Sequence, residues 1–247
     1  MRTLDLDEVV KFVEETIGRS FHERRIASLQ KLKLNQILKR KNPYLFKAKD
    51  IHTAHELVQS LLDAHLSSQE ETIFGDFLES LAIFVCEKVF GGKKSSAEGI
   101  DLEFEREGKW YIVSIKSGPN WGNSSQIKRM VQNFKKAQSI LRRNVNSRPI
   151  VAVNGCCYGK ENQPEKGDYL KLCGQDFWEL ISGNDKLYIE IIEPLGHQAK
   201  QHNEDFQKEY ARLINIFTQE FLQEFCVNGR IDWPKLVQFN SRRAREI

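Results

Sequence analysis

The chain has 247 residues, 40% hydrophobic and 29% charged, the balance of an ordinary globular protein. Its net charge of +3 provides no global basic field, so any anion-binding surface must come from local clustering. Five cysteines (Cys86, Cys156, Cys157, Cys173, Cys226) form no CxxC pair, which argues against a zinc ribbon or a disulfide framework. No apolar run reaches the ~20 residues that span a bilayer, and the first residues lack the apolar segment of a secretory signal, so a cytoplasmic chain is expected.

Residues 6–18 carry apolar side chains at helical spacing (Val9, Val10, Phe12, Val13, Ile17), and Gly18 is expected to end that helix. Ser20 and Glu23 have the spacing of a capping box for a second helix. That helix turns Ile26, Leu29, Leu32 and either Leu34 or Ile37 inward and presents Arg24, Arg25, Lys31, Lys33, Lys39, Arg40 and Lys41 outward. Such a face is either solvated surface or a track for phosphates. Asn42-Pro43 breaks the pattern, and Tyr44-Leu45-Phe46 reads as a core anchor. Two further helices are expected over residues 51–66 and 71–90, the second closed by Gly91-Gly92. Glu79 interrupts the apolar pattern of the second, and an acid there is costly unless it is paired or binds a cation.

A hairpin follows. Residues 99–118 read Gly-Ile-Asp-Leu-Glu-Phe-Glu-Arg-Glu-Gly-Lys-Trp-Tyr-Ile-Val-Ser-Ile-Lys-Ser-Gly, two strands around a Glu107-Gly108 turn. This register sets Asp101 across from Ser114 and diagonal to Lys116, all on one face, with Ile100, Leu102 and Phe104 on the other. A carboxylate and an ammonium converging at a strand end form either an ordinary cross-strand ion pair or a phosphodiester-hydrolysing site. In the second case Asp101 holds Mg²⁺ through hard oxygen ligation and Lys116 orients the attacking water. The following run, Pro-Asn-Trp-Gly-Asn-Ser-Ser-Gln, is dense in amides and leads into a helix over 123–143 with Lys128, Arg129, Lys135, Lys136, Arg142 and Arg143 outward. No Asp or Glu occurs from Pro119 to Lys160. Backbone N–H groups at such a helix start can hold phosphate, and amide side chains can reach base edges. Beyond it come a buried strand at Pro149–Gly155, a polar loop over 158–174, a short helix from Gln175 to Ile181, a strand at Leu187–Ile192, and helices at about 203–227 and 235–245. The order fits a mixed α/β core between helical segments: 1–69 helical, 70–195 catalytic core, 196–247 helical, forming one domain over 1–247.

Asp101 followed by Ser114-Ile115-Lys116 on paired strands resembles the PD-(D/E)XK nuclease superfamily. The run Ser-Gly-Pro-Asn-Trp-Gly-Asn-Ser-Ser-Gln and the earlier Lys-Asn-Pro-Tyr-Leu-Phe-Lys-Ala-Lys are similar to segments of type II restriction endonucleases within it. The resemblance implies a restriction-endonuclease-like mixed sheet between helices, a double-stranded DNA partner, Mg²⁺, and a homodimer cutting a near-palindromic site. Its alternatives are a DNA-binding protein without catalysis on the same fold and a structure-specific repair or junction nuclease. It matches Asp101 and Lys116 to the family's acid and lysine, with Asp101, Glu79 and the Ile115 position as metal ligands. The candidate DNA contacts are Ser117, Asn120, Trp121, Asn123, Ser124, Gln126, Lys128 and Arg129. One departure stands out: the family's second acid is here Ser114, which brings no negative charge. The missing carboxylate is expected from Glu79, with Glu103 as the alternative.

Overall fold

The computed structural model describes residues 2–142 and 148–243; Arg143 and the end of the expected last helix, 244–245, lie outside the described residues. The chain divides into two compact units, Met1–Ser20 with Phe74–His197, and Phe21–Ile73 with Gln198–Ile247. Five strands form one sheet in chain order: β1 (Lys93–Lys94), β2 (Leu102–Arg106), β3 (Lys109–Lys116), β4 (Ile150–Cys156) and β5 (Leu170–Cys173). The first three pair antiparallel and the last three parallel. The helices are α1 (Leu6–Ile17), α2 (Arg24–Gln30), α3 (Leu34–Leu38), α4 (Pro43–Ala48), α5 (Ala54–Phe90), α6 (Ser124–Leu141), α7 (Gln175–Ser182), α8 (Leu187–Glu190), α9 (Ile192–Leu195), α10 (Ala199–Phe225) and α11 (Trp233–Ser241). A two-stranded ribbon, β6 (Cys226–Val227) with β7 (Arg230–Ile231), precedes α11. Among the described residues no helix is long and apolar enough to cross a membrane. This is the mixed α/β core flanked by helices that the order of elements predicts.

The sheet and the helices packed on it make the first unit. Glu107 and Gly108 both take positive φ (52° and 73°), the requirement of a two-residue type I′ turn, and they set the register Arg106↔Lys109 through Leu102↔Val113. Parallel pairing of β3 with β4 needs a crossover, which α6 supplies; Met130, Phe134 and Ala137 of α6 pack on Ile100, Ile112 and Ala152. β4 is an interior strand between β3 and β5, buried as its apolar run predicts, and Val153 and Cys156 are fully buried. A Cβ at Gly155 of β4 would overlap the ring of Phe177, which is itself fully buried. Gly155→Ala is therefore expected to destabilise the protein by about 1–3 kcal/mol, read as a lowered Tm in a thermal melt.

The second unit is helical. Leu57, Leu61 and Leu62 of α5 share a core with Leu29, Ile37, Phe46, and Phe217 and Phe221 of α10.

Several expected boundaries differ from the observed ones. Gly18 does not end the first helix: it stays right-handed (φ −53°, ψ −57°) and opens a π-helical turn, Gly18–Glu23, that runs into α2. Ser20 lies inside that turn, so the expected capping box does not form; Glu23 precedes α2 without a side-chain cap. The second helix instead breaks after Gln30 and resumes as α3. The two helices expected over 51–66 and 71–90 are one 37-residue helix, α5. The polar stretch 67–72 between the two expected helices contains no Gly or Pro to interrupt it, and the helix ends where Gly91 takes φ +66° and Gly92 N–H donates back to Cys86 O at 3.1 Å. Within Tyr44-Leu45-Phe46 only Phe46 is buried, because α4 turns Pro43 and Phe46 inward and leaves the other two outside. The strand expected at 187–192 is two short helices, α8 and α9, and the fifth strand is β5, inside the expected polar loop. There Asn184 Oδ1 accepts from Lys186 N–H at 2.9 Å and starts a helical turn, and Ile189 and Ile192 remain exposed; the β-branched composition finds no sheet neighbour.

Candidate active site

The hairpin delivers its charged pair as the register requires. Asp101 precedes β2, its N–H donating to Val113 O at 2.8 Å. Its Oδ2 accepts from Ile115 N–H at 2.7 Å and lies 3.7 Å from Lys116 Nζ. Ser114 Oγ is at the edge of hydrogen bonding, 3.5 Å from the same oxygen, and its residue is buried. Lys116 Nζ also donates to Ile115 O at 2.7 Å. A single ammonium thus bridges the carboxylate of Asp101 and the carbonyl of Ile115, two hard oxygens aimed at one positive centre. The Asp101 and Lys116 side chains are both partly open, at 21% and 29%. Solvent, and a phosphate, can reach them.

β4 and the loop after β3 brace this end of the sheet. Asn154 sits opposite Ser114 in the parallel register, fully buried; its Nδ2 donates to Ser114 O at 3.2 Å and its Oδ1 accepts from Trp121 Nε1 at 3.0 Å. Trp121 is half-buried against the α6 cluster, with Lys116 Nζ 5.4 Å from its ring centre. The loop is held from its other side as well. Tyr158 N–H donates to Ser117 O at 3.1 Å, Lys171 Nζ to Pro119 O at 3.1 Å, and the Tyr158 ring fills the space a Cβ at Gly118 would need. Sequence reasoning passed over Asn154, Tyr158 and Lys171. An Asn inside an otherwise apolar strand was the visible signal for the first.

Glu79 stands on the face of α5 nearest the end of β3. A Cβ at Gly75, one turn earlier, would meet Ser117 Cβ at 3.4 Å. Burial, and after it the negative charge of Glu79, push the Cys157 thiol up to about 12, while Lys116 pulls it the other way. Cys157 N–H in turn donates to Lys116 O at 2.9 Å, so the fields of Glu79 and Lys116 meet at one side chain. The Glu79 carboxylate pairs with Lys94 of β1 at 3.2 Å. Glu103, on Asp101's face and one pleat nearer the turn, is buried and lies 3.8 Å from Lys93. Neither lysine was singled out from sequence, since β1 is only two residues long.

The expected DNA contacts divide. Asn123 and Gln126 form a capping box at the start of α6: Asn123 Oδ1 accepts from Ser125 and Gln126 N–H at 3.1 Å, and Gln126 Oε1 accepts from Asn123 N–H at 2.9 Å. Their oxygens are engaged there, and their NH₂ groups point to no partner in that box. Asn120, Ser124 and Lys128 are exposed and Ser117 is half-buried. Arg129 pairs with Glu98 at 3.0 Å, an interaction with an acid from outside the acid-free stretch.

Among the described residues no three His, Cys, Asp or Glu side chains gather as a metal cluster. The candidate set is smaller, two carboxylates (Asp101, Glu79) and the Ile115 carbonyl. An all-oxygen set of this kind suits a hard divalent ion that keeps several of its waters. The Lys116 ammonium held between Asp101 Oδ2 and Ile115 O is the local sign that these oxygens stabilise a cation.

Comparison with known proteins bears on the whole assembly. No curated protein matches the chain. Over residues 7–203, most of its length and all of the site, it matches the family model of the type II restriction endonuclease EcoO109I. With a mixed sheet that carries an acid and a lysine on paired strands, and a match of that extent, the chain belongs to the type II restriction endonuclease EcoO109I family, whose members are site-specific deoxyribonucleases.

Proposed function

We propose that this endonuclease hydrolyses phosphodiester bonds of double-stranded DNA at a specific near-palindromic sequence, with Mg²⁺, as a cytoplasmic homodimer whose two-fold symmetry mirrors that of its site. The observation that carries the site assignment is the convergence of Asp101 Oδ2 and Ile115 O on Lys116 Nζ. Asp101, Glu79 and the Ile115 carbonyl would hold the metal. When bound, the ion polarises the scissile phosphate and supplies a water of lowered pKa. Asp101 is fixed for this role by the Ile115 N–H, which sets the direction of its carboxylate. Lys116 orients the attacking water and offsets the charge that develops on the phosphate oxygens. The loop 117–123, pinned by Tyr158 and Lys171, presents Ser117, Asn120 and Trp121 to the DNA, and Asn123, Ser124, Gln126, Lys128 and Arg129 continue that surface onto α6.

Digestion of a plasmid of known sequence is the direct test. Discrete fragments are expected in the presence of Mg²⁺, none in EDTA, and sequenced ends sharing one short near-palindrome. Ends without a common sequence would assign the protein to structure-specific cleavage. No cleavage with any divalent metal would overturn the proposal.

A further inference from the structure

The chain's cations are unevenly placed. Residues 24–49 hold nine Lys and Arg and no acid, and residues 119–160 hold eight and no acid; the rest of the chain carries 20 bases against 34 acids. A chain so divided repels a polyanion except where these two stretches reach the surface.

The structure treats the two stretches differently. In the stretch that includes α6, Arg129 and Lys136 pair with Glu98, Lys135 pairs with Asp168 at 3.0 Å, and Arg148 pairs with Glu105 at 2.5 Å. Much of that charge is already met by acids from elsewhere in the first unit. On α2–α4, in the second unit, Arg25 pairs with Glu70, but Lys31, Lys33, Lys39, Arg40, Lys41, Lys47 and Lys49 reach no carboxylate within 4 Å among the described residues. All seven but Lys41 are exposed, with Tyr44 (62%) and Leu45 (50%) also open on α4. The excess is felt locally: after burial, the charges of Lys41 and Arg40 are what lower the pKa of His65 on α5.

We propose that the α2–α4 face of the helical unit is a second DNA-contact surface, which binds the phosphate backbone of duplex DNA independently of sequence. It rests on the duplex-DNA partner of the function proposed above, and it assigns part of the binding to residues outside the unit that holds Asp101 and Lys116. Duplex DNA fits better than an acidic protein because cations that meet no carboxylate recur at short intervals from Lys31 to Lys49. A regularly spaced polyanion can engage such a row in succession, with release of counterions at each contact. The exposed Tyr44 adds a flat apolar group suited to sugar edges.

The test is fluorescence anisotropy of a mixed-sequence 30-bp duplex in EDTA over a NaCl series. Lys39→Gln/Arg40→Gln/Lys41→Gln is expected to make the slope of log K against log[salt] shallower by about 0.9 per phosphate contact removed, so by roughly 2–3 for the triple variant. Lys135→Gln/Lys136→Gln/Arg148→Gln, with the same change of net charge, is expected to leave the slope near that of the wild type. If thermal melting shows that the first variant does not fold, Arg40→Glu carries the test, with an expected loss of about one in slope. Equal slopes for the two triple variants, or an unchanged slope accompanied by a shift in sedimentation, would overturn the surface and point to net charge or to a protein partner. A wild-type protein that binds no duplex at all would instead overturn the DNA partner itself.

Discussion

Asp101→Asn and Lys116→Ala are each expected to lower the single-turnover rate of DNA cleavage by at least about 10²–10³-fold, the usual cost of losing one preorganised electrostatic group. Neither should move the Tm by more than a few degrees or weaken metal-free duplex binding by more than a few-fold. The choice of Asn keeps an oxygen to accept the Ile115 N–H now received at 2.7 Å, so the hairpin end stays formed while its negative charge is lost. Lys116→Ala removes the ammonium from both Asp101 Oδ2 and Ile115 O without touching the backbone register. The partly exposed ion pair itself adds little to stability, ~0.2–1 kcal/mol, so a large kinetic effect with a small thermal one is the signature of a site and not of a brace. Cleavage within tenfold of wild type in both variants would remove the hairpin from the chemistry.

The hairpin was legible because two independent constraints agreed. Gly108 readily takes the positive φ of a tight hairpin turn, and strict alternation leaves one choice of face; the observed register is the one that places Asp101 across from Ser114. The family resemblance drew on the same residues, and the match over 7–203 supports it. What the sequence concealed depended on neighbours distant along the chain. Nothing near Arg129 or Lys135 announces Glu98 or Asp168, so α6 read as a free basic face and is substantially neutralised. Ser67 to Glu71 looked like a break because they are polar, yet polarity alone does not stop a helix where the polar stretch itself holds no Gly or Pro. Leu187 to Ile192 had β composition and no edge to join, whereas Leu170–Cys173, in a stretch rich in Gly, Lys and Glu, did have one beside β4. Asn123 and Gln126 showed the opposite failure. Their amides suggested base reading, while their spacing, Asn followed three residues later by Gln ahead of an apolar helix, was a capping signature in plain view.

The second carboxylate is the assignment that a single pair of variants can decide. With Ser114 in place of an acid, Asp101 and the Ile115 carbonyl offer one negative charge, and a divalent ion needs more. Glu79 and Glu103 are both engaged now, with Lys94 and Lys93 of β1. Their surroundings differ. Glu79 is 28% open, on the α5 face that passes Ser117 at Gly75, and its field reaches the Cys157 thiol beside Lys116. Glu103 is 11% open and lies across from Ile112, toward the turn and away from the strand end. Glu79→Gln is therefore expected to cost about 10²-fold in cleavage rate at saturating DNA. It should also raise the Mg²⁺ concentration at half-maximal rate and weaken Ca²⁺ binding measured by calorimetry without DNA. Glu103→Gln should remain within a few-fold of wild type on all three measures. Because calorimetry reads the metal directly, a loss of rate with unchanged Ca²⁺ binding would make Glu79 a positioning residue, and the reverse ranking of the two variants would move the second ligand to β2. Confirmation would mean that this enzyme takes its metal charge from a helix instead of the strand carrying the lysine. Its metal affinity would then depend on how α5 passes the end of β3, where Gly75 faces Ser117.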